Sequence, residues 1–237
     1  MKTTLYKADS RGYANHGWLK SHHTFSFAGY HNPERMHFGA LRVFNDDVVQ
    51  PKMGFGTHPH DNMEIISIPL KGTLSHKDNM DNKRAITPQE VQAMSAGTGL
   101  THSEFNDSAN EAVNFFQLWI IPDSRNVSPR YEQKNFDEAQ RNNKLQVLVE
   151  SVASTDESTL KIHQDAKISR ISLEEGQSID YTLKSNDHGV FIMNISGTTQ
   201  VADQALDERD AIGISEVDSL RILSTAAADI LFVEVPM

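Results

Sequence analysis

The chain has 237 residues, 38% of them hydrophobic and 23% charged, which is enough for one large or two small folded domains and argues against wholesale disorder. Lys and Arg total 22 against 32 Asp and Glu, a formal charge of -10 that disfavours broad electrostatic binding to nucleic acid. Cysteine is absent, which excludes disulfides, thiolate ligands and a cysteine nucleophile together.

The N-terminal stretch MKTTLYKADSRGYANHGW lacks the apolar core of a signal peptide, and no later run approaches the ~18 apolar residues of a membrane span. A cytoplasmic protein is expected. From there the chain reads as strands. GALRVFNDDVV, MEIISIPLKGTLSHKD and EAVNFFQLWII in the first half are followed by LQVLVES, LKIHQDAKISRISL, GVFIMNISGTTQVA and DILFVEV in the second. These runs are rich in Val, Ile and Phe and are separated by Gly, Asn or Asp turns. Only NFDEAQRNN (135–143) and, more weakly, SEVDSLRIL (215–223) suggest helix. The pattern predicts an all-β fold of two tandem antiparallel, jelly-roll-like barrels with few short helices. The polar, proline-containing stretch at about 122–144 is the expected linker, between an N-terminal barrel over 1–134 and a C-terminal one over 145–237.

Two short motifs carry the chemistry. In an extended strand residues i and i+2 share a face, so His58 and His60 of THPHD project together while Pro59, which donates no ladder hydrogen bond, suits a strand start, edge or bulge. His102 and Glu104 of THSEF repeat the spacing. If the two strands are neighbours, three imidazoles and a carboxylate converge, a plausible ligand set for one divalent transition metal with room for water or substrate. Without an ion, each unpaired buried polar group would cost ~1–3 kcal/mol. Glu64 has the same parity if the strand continues unbroken. It is a fifth ligand, an alternative to Glu104, or a neighbour that orients a histidine; the last is preferred because Glu104 already completes the set. Phe55, Met63, Met94, Phe116 and Trp119 are candidates for an apolar slot beside the ion.

GTHPHDNMEIISIPLKG (56–72) followed by MSAGTGLTHSEFN (94–106) resembles the two motifs of the pirin family of the cupin superfamily, with His58, His60, Glu64 and Gly72 in the first and His102 and Asn106 in the second. HGWLKSHHTFSFAGYHNP (16–33) and NFFQLWIIP (114–122) are similar to pirin segments too, so the resemblance spans nearly all of the first 130 residues. It implies a bicupin fold with metal ligands His58, His60, His102 and Glu104, and an ion that is Fe(II) first, with Cu, Ni, Co, Mn or Zn as alternatives. The second half departs from the motifs: its His163 and His188 lie in neither an H-x-H nor an H-x-x-x-x-E pattern, so a metal-free second barrel is expected. Some bacterial pirins resemble quercetin 2,3-dioxygenases. The resemblance therefore implies opening of a flavonol ring with O2 and release of CO, with Glu104 as ligand and base and Glu64 as the second candidate base. The competing expectation is a metal-binding regulator acting through a transcription factor or metabolic enzyme. A monomer is expected, because one chain already supplies two barrels.

Overall fold

The computed structural model describes residues 1–237 as twenty strands and two short 3-10 turns. The strands form sheets of nine, seven and four. No helix is long and apolar enough to cross a membrane.

In the first half, the seven-stranded sheet runs in the order Arg130–Asn135, Glu90–Ser95, Glu64–Lys71, Val113–Ile120, Leu41–Val49, Leu19–His23, Gly12–Asn15. The four-stranded sheet runs Gly54–His60, Leu100–Phe105, Leu74–Asp78, Lys83–Ile86. Glu64–Lys71 and Glu90–Ser95, interior strands of the seven-stranded sheet, are buried on both faces, whereas Gly54–His60 at the edge of the smaller one has no fully buried residue; burial of each large apolar side chain contributes ~1.5–3 kcal/mol. Pro59 lies on the edge strand of the smaller sheet, where its missing N–H removes no ladder bond. The nine-stranded sheet holds the second half and, at one edge, Lys2–Tyr6, which pairs antiparallel with Ala211–Ser215. The two-part, jelly-roll-like all-β architecture is therefore as expected, although the sheets stay open rather than closing into barrels.

A 26-residue apolar core joins the two halves. Within it Phe44 meets Phe116 at 4.9 Å and Phe191 at 5.1 Å between ring centroids. Phe116 is thus inter-half core rather than a wall of a substrate slot. A second core of 15 residues, including Tyr181, Ile192, Ile214 and Phe232, belongs to the C-terminal half.

The stretch read as a linker is partly structured: Arg130–Asn135 extends the seven-stranded sheet by pairing with Glu90–Ser95. Neither helix expectation holds. Residues 135–143 supply a single 3-10 turn, Glu138–Arg141, capped by Asp137, whose side chain accepts from the Ala139 amide at 3.0 Å. Asn143 at φ 53 ends the segment, and one turn is too short to sustain an α-helix without cooperative propagation. Residues 215–223 end one strand and begin the last, Ser219–Pro236, with a break at Glu216, φ 58. There Leu220 and Ile222 are buried while Ser219 and Arg221 are exposed, a period of two that the wider spacing of Val217, Leu220 and Leu223 disguises.

Candidate metal centre

Neighbouring antiparallel strands of the four-stranded sheet bring the two motifs together, with His102 opposite His58 and Leu100 opposite His60. A register shift between His102 and Glu104 leaves Glu104 opposite Phe55 on one side and His76 on the other. The extra residue lies on Gly54–His60, between Phe55 and His58, so His102 and Glu104 keep one face of a regular strand. Nitrogen atoms of His58, His60 and His102 lie within 4.8 Å of one another. Glu104 belongs to a second such group, with His102 and the buried His76. His102 is the member common to both.

Two of the three imidazoles are kept neutral by their surroundings. Burial, and then the neighbouring histidines His102 and His58, lower the His60 pKa to about 4. Burial, and then His58 and His76, lower that of His102 to about 3. His58 Nδ1 donates to the Gly56 carbonyl at 2.8 Å, so Nε2 is the nitrogen left for an ion. His60 Nε2 lies 3.0 Å from His102 Nε2. Two nitrogens each ~2.1 Å from one ion, at octahedral to tetrahedral angles, would stand about 3.0–3.4 Å apart, so the pair fits joint coordination. The donor set of three imidazoles beside a carboxylate fits a divalent transition metal. Glu104 is held by two donors, Gln117 Nε2 at 2.8 Å on Oε2 and Ser67 Oγ at 3.2 Å on Oε1. Neither donor stands out in the sequence; each follows from its strand position in the sheet facing Glu104.

Glu64 goes elsewhere. Strand Gly54–His60 ends before it, Asn62 turns the chain at φ 45, and Glu64 opens a strand of the other sheet. The face shared by His58 and His60 therefore ends at this turn. The Glu64 side chain accepts from Ser95 Oγ at 2.7 Å and joins neither histidine group, so it orients no histidine. Burial raises its pKa to about 7, with the Ser95 hydrogen bond opposing. A carboxyl more basic folded than unfolded makes the folded state bind the extra proton. Stability is therefore expected to fall as pH rises from about 4.5 to about 7. Glu64→Gln should flatten this slope, by up to ~3 kcal/mol, in urea denaturation across that window; an unchanged slope would place the proton on another group.

A cavity of about 800 Å³ opens on the cluster, with His58, His60 and Glu104 on its wall and Trp18, Phe55 and Trp119 among its aromatic residues. Trp119 stands edge-on to His60 at 5.0 Å, and Trp18 edge-on to Phe55 at 5.2 Å. Phe55 and Trp119 thus fall where the slot was expected. Met63 and Met94 instead pack with Leu100 and Trp119 in a small apolar cluster behind the wall. The lining also includes the polar side chains of Ser21, His23, Asn45 and Asp47. His23 Nδ1 contacts Asn45 Oδ1 at 3.0 Å and Ser21 Oγ at 3.2 Å, and Ser21 donates to Asp47. Burial pushes the Asp47 carboxyl up to about 7.

The open sheets of strands, paired across a common core with a histidine cluster in the first half, define a two-domain protein of cupin type. The chain belongs to the pirin family. The pirin family model matches residues 6–120, and a model described as the quercetinase C-terminal cupin domain matches residues 148–235. A protein of Escherichia coli K12 named quercetin 2,3-dioxygenase is 40% identical over 232 residues, covering 98% of each chain. The crystal structure of YhhW from E. coli superposes with a TM-score of 0.94 at 39% identity, over 99% of this chain and 98% of that one. The structure of the bacterial pirin YhhW in complex with nickel(II) gives a TM-score of 0.93 at 37% identity over 99% of both.

Proposed function

We propose that the protein is a metal-dependent dioxygenase that opens the heterocyclic ring of flavonols such as quercetin with O2 and releases CO. The observation that carries this reading is the aromatic-walled cavity of about 800 Å³ that opens directly on the histidine cluster. A regulator acting through its surface would need no such space. The names of the relatives and the nickel complex of a 37% identical structure support the same reading. One divalent metal would be held by His58, His60, His102 and Glu104, with iron as the first candidate and nickel, copper, cobalt, manganese and zinc as the others. When bound, such an ion acidifies a hydroxyl placed on it and favours attack by O2 on the resulting electron-rich ring.

The chain's own groups do the rest. Phe55, Trp18 and Trp119 offer flat apolar surface to a polyphenol. Glu104 accepts the proton of the flavonol 3-hydroxyl on one carboxylate oxygen, while the donors Gln117 and Ser67 keep the carboxylate oriented. The C2–C3 and C3–C4 bonds break, C3 leaves as CO, and both atoms of O2 remain in the ester formed from the rest of the ring. A cytoplasmic monomer without nucleic-acid contacts accompanies this reading.

The test is O2 uptake and CO evolution on adding quercetin, after loading with iron, copper, nickel, cobalt and manganese in turn. Catalytic, equimolar uptake and release with at least one ion is the expected result. Bound metal with no turnover for any of them would overturn the dioxygenase reading in favour of the regulator.

A further inference from the structure

Behind the histidine cluster lies a buried pair that the proposed reaction does not use. His76 and Asp78 sit two residues apart on the strand Leu74–Asp78, next to the strand that carries His102. His76 is 1% exposed and Asp78 7%. His76 Nε2 lies 3.1 Å from Asp78 Oδ2, and His76 Nδ1 lies 3.4 Å from His102 Nδ1. With the 3.0 Å contact between His102 Nε2 and His60 Nε2, four side chains form one line from the cavity to the interior.

The direction of that line is set at its buried end. Asp78 Oδ1 accepts the amides of Met80 at 2.9 Å and Asn82 at 3.0 Å, and Oδ2 accepts Asn82 Nδ2 at 2.8 Å. Both oxygens of this carboxyl are thus occupied by N–H donors. Asp78 is therefore an acceptor only, and His76 must present Nε2–H to it. A neutral His76 then has a bare Nδ1. The only neighbour facing that nitrogen at hydrogen-bond distance is His102 Nδ1, which must carry the proton. That leaves His102 Nε2 bare and facing the cluster.

We infer that Asp78 and His76 are positioning residues which fix the tautomer of His102, so that its Nε2 lone pair is already directed at the metal before an ion arrives. In the metal-free protein His60 donates to His102, His102 to His76 and His76 to Asp78. Only His60, at the cavity end, then has to move its proton on loading. The inference rests on the reading of His102 as a ligand. Its chemistry is that of a carboxylate orienting a metal-binding histidine, here through an intervening second imidazole.

The first test is the ¹⁵N spectrum of the histidine rings in the metal-free protein. His102 protonated at Nδ1 and His76 at Nε2 is the expected pattern. His102 protonated at Nε2, as an imidazolium at His76 would impose, overturns the relay. The second test is Ni(II) affinity by competition with a chelator. His76→Phe keeps the ring volume without the relay and should lose about 10- to 100-fold in affinity. His76→Gln can still donate to Asp78 and accept from His102 and should stay within about 3-fold of the parent. Loss in both variants, or in neither, overturns the relay. Should His76→Phe fail to fold, Asp78→Asn supplies the check: its amide donates to His76 Nε2, reverses both tautomers and should weaken Ni(II) binding by a similar factor. Failure of the unaltered protein to bind Ni(II) would instead sink the reading of the metal centre itself.

Discussion

Glu104→Gln still binds part of its metal but turns quercetin over about 10²- to 10⁴-fold more slowly than the parent, the range typical for loss of a general base. The substitution keeps shape and one carbonyl oxygen, so Ser67 can still donate at 3.2 Å, and Gln117 can turn its amide to accept where it now donates at 2.8 Å. What is lost is the capacity to take a proton from the 3-hydroxyl. Residual metal separates this from His60→Ala, which removes an imidazole from the group of three and should abolish both loading and turnover. The check is kcat against metal content, measured on the same preparation. Full turnover at matched metal content would remove Glu104 as the base.

The second large effect lies in the other half. Glu234 is fully buried, yet it is ionised among donors: Tyr181 Oη at 2.6 Å, the Lys184 amide at 2.6 Å, His188 Nδ1 at 3.2 Å and Lys167 Nζ at 3.2 Å. Burial acts to raise its pKa, but the hydrogen bonds from Tyr181 and the Lys184 amide, together with Lys167, outweigh it and leave the pKa lowered. Glu234→Leu leaves all four donors facing an apolar side chain and should cost ~3–5 kcal/mol, with a fall in Tm of roughly 6–20 °C. Tyr181→Phe removes one donor only and should cost ~1–2 kcal/mol. Because the folded pKa lies below the unfolded one, the Glu234 contribution is fully present above about pH 4.5 and is lost as pH falls through the folded value. Denaturation at pH 7 and pH 4 checks both points. A neutral effect of Glu234→Leu at pH 7 would mean that desolvation cancels the network.

The pairs His58/His60 and His102/Glu104 were legible in the sequence because an i, i+2 spacing in a strand has one geometric outcome, and the strands that carry them are neighbours. The same spacing does not place Glu64, because the chain turns at Asn62 into another sheet. His76 and Asp78 show the same spacing in TLSHKDN and were readable in principle, but the approach of His76 to His102 depends on which strand lies beside which. Ser67, Gln117 and the His23–Asn45 wall were hidden for that reason. Each looks like an ordinary polar position until two sheets face each other across the cavity. The Lys2–Tyr6 strand was invisible as part of the second half, since pairing with Ala211–Ser215 spans nearly the whole chain and leaves no local trace.

Whether His58, His60, His102 and Glu104 share one metal ion is measured directly by anomalous scattering from crystals soaked in Ni(II). The prediction is a single peak with the three Nε2 atoms and a Glu104 oxygen each about 2.0–2.2 Å away. A peak among His76, His102 and Glu104 instead, or no peak at any ordered position, would contradict it.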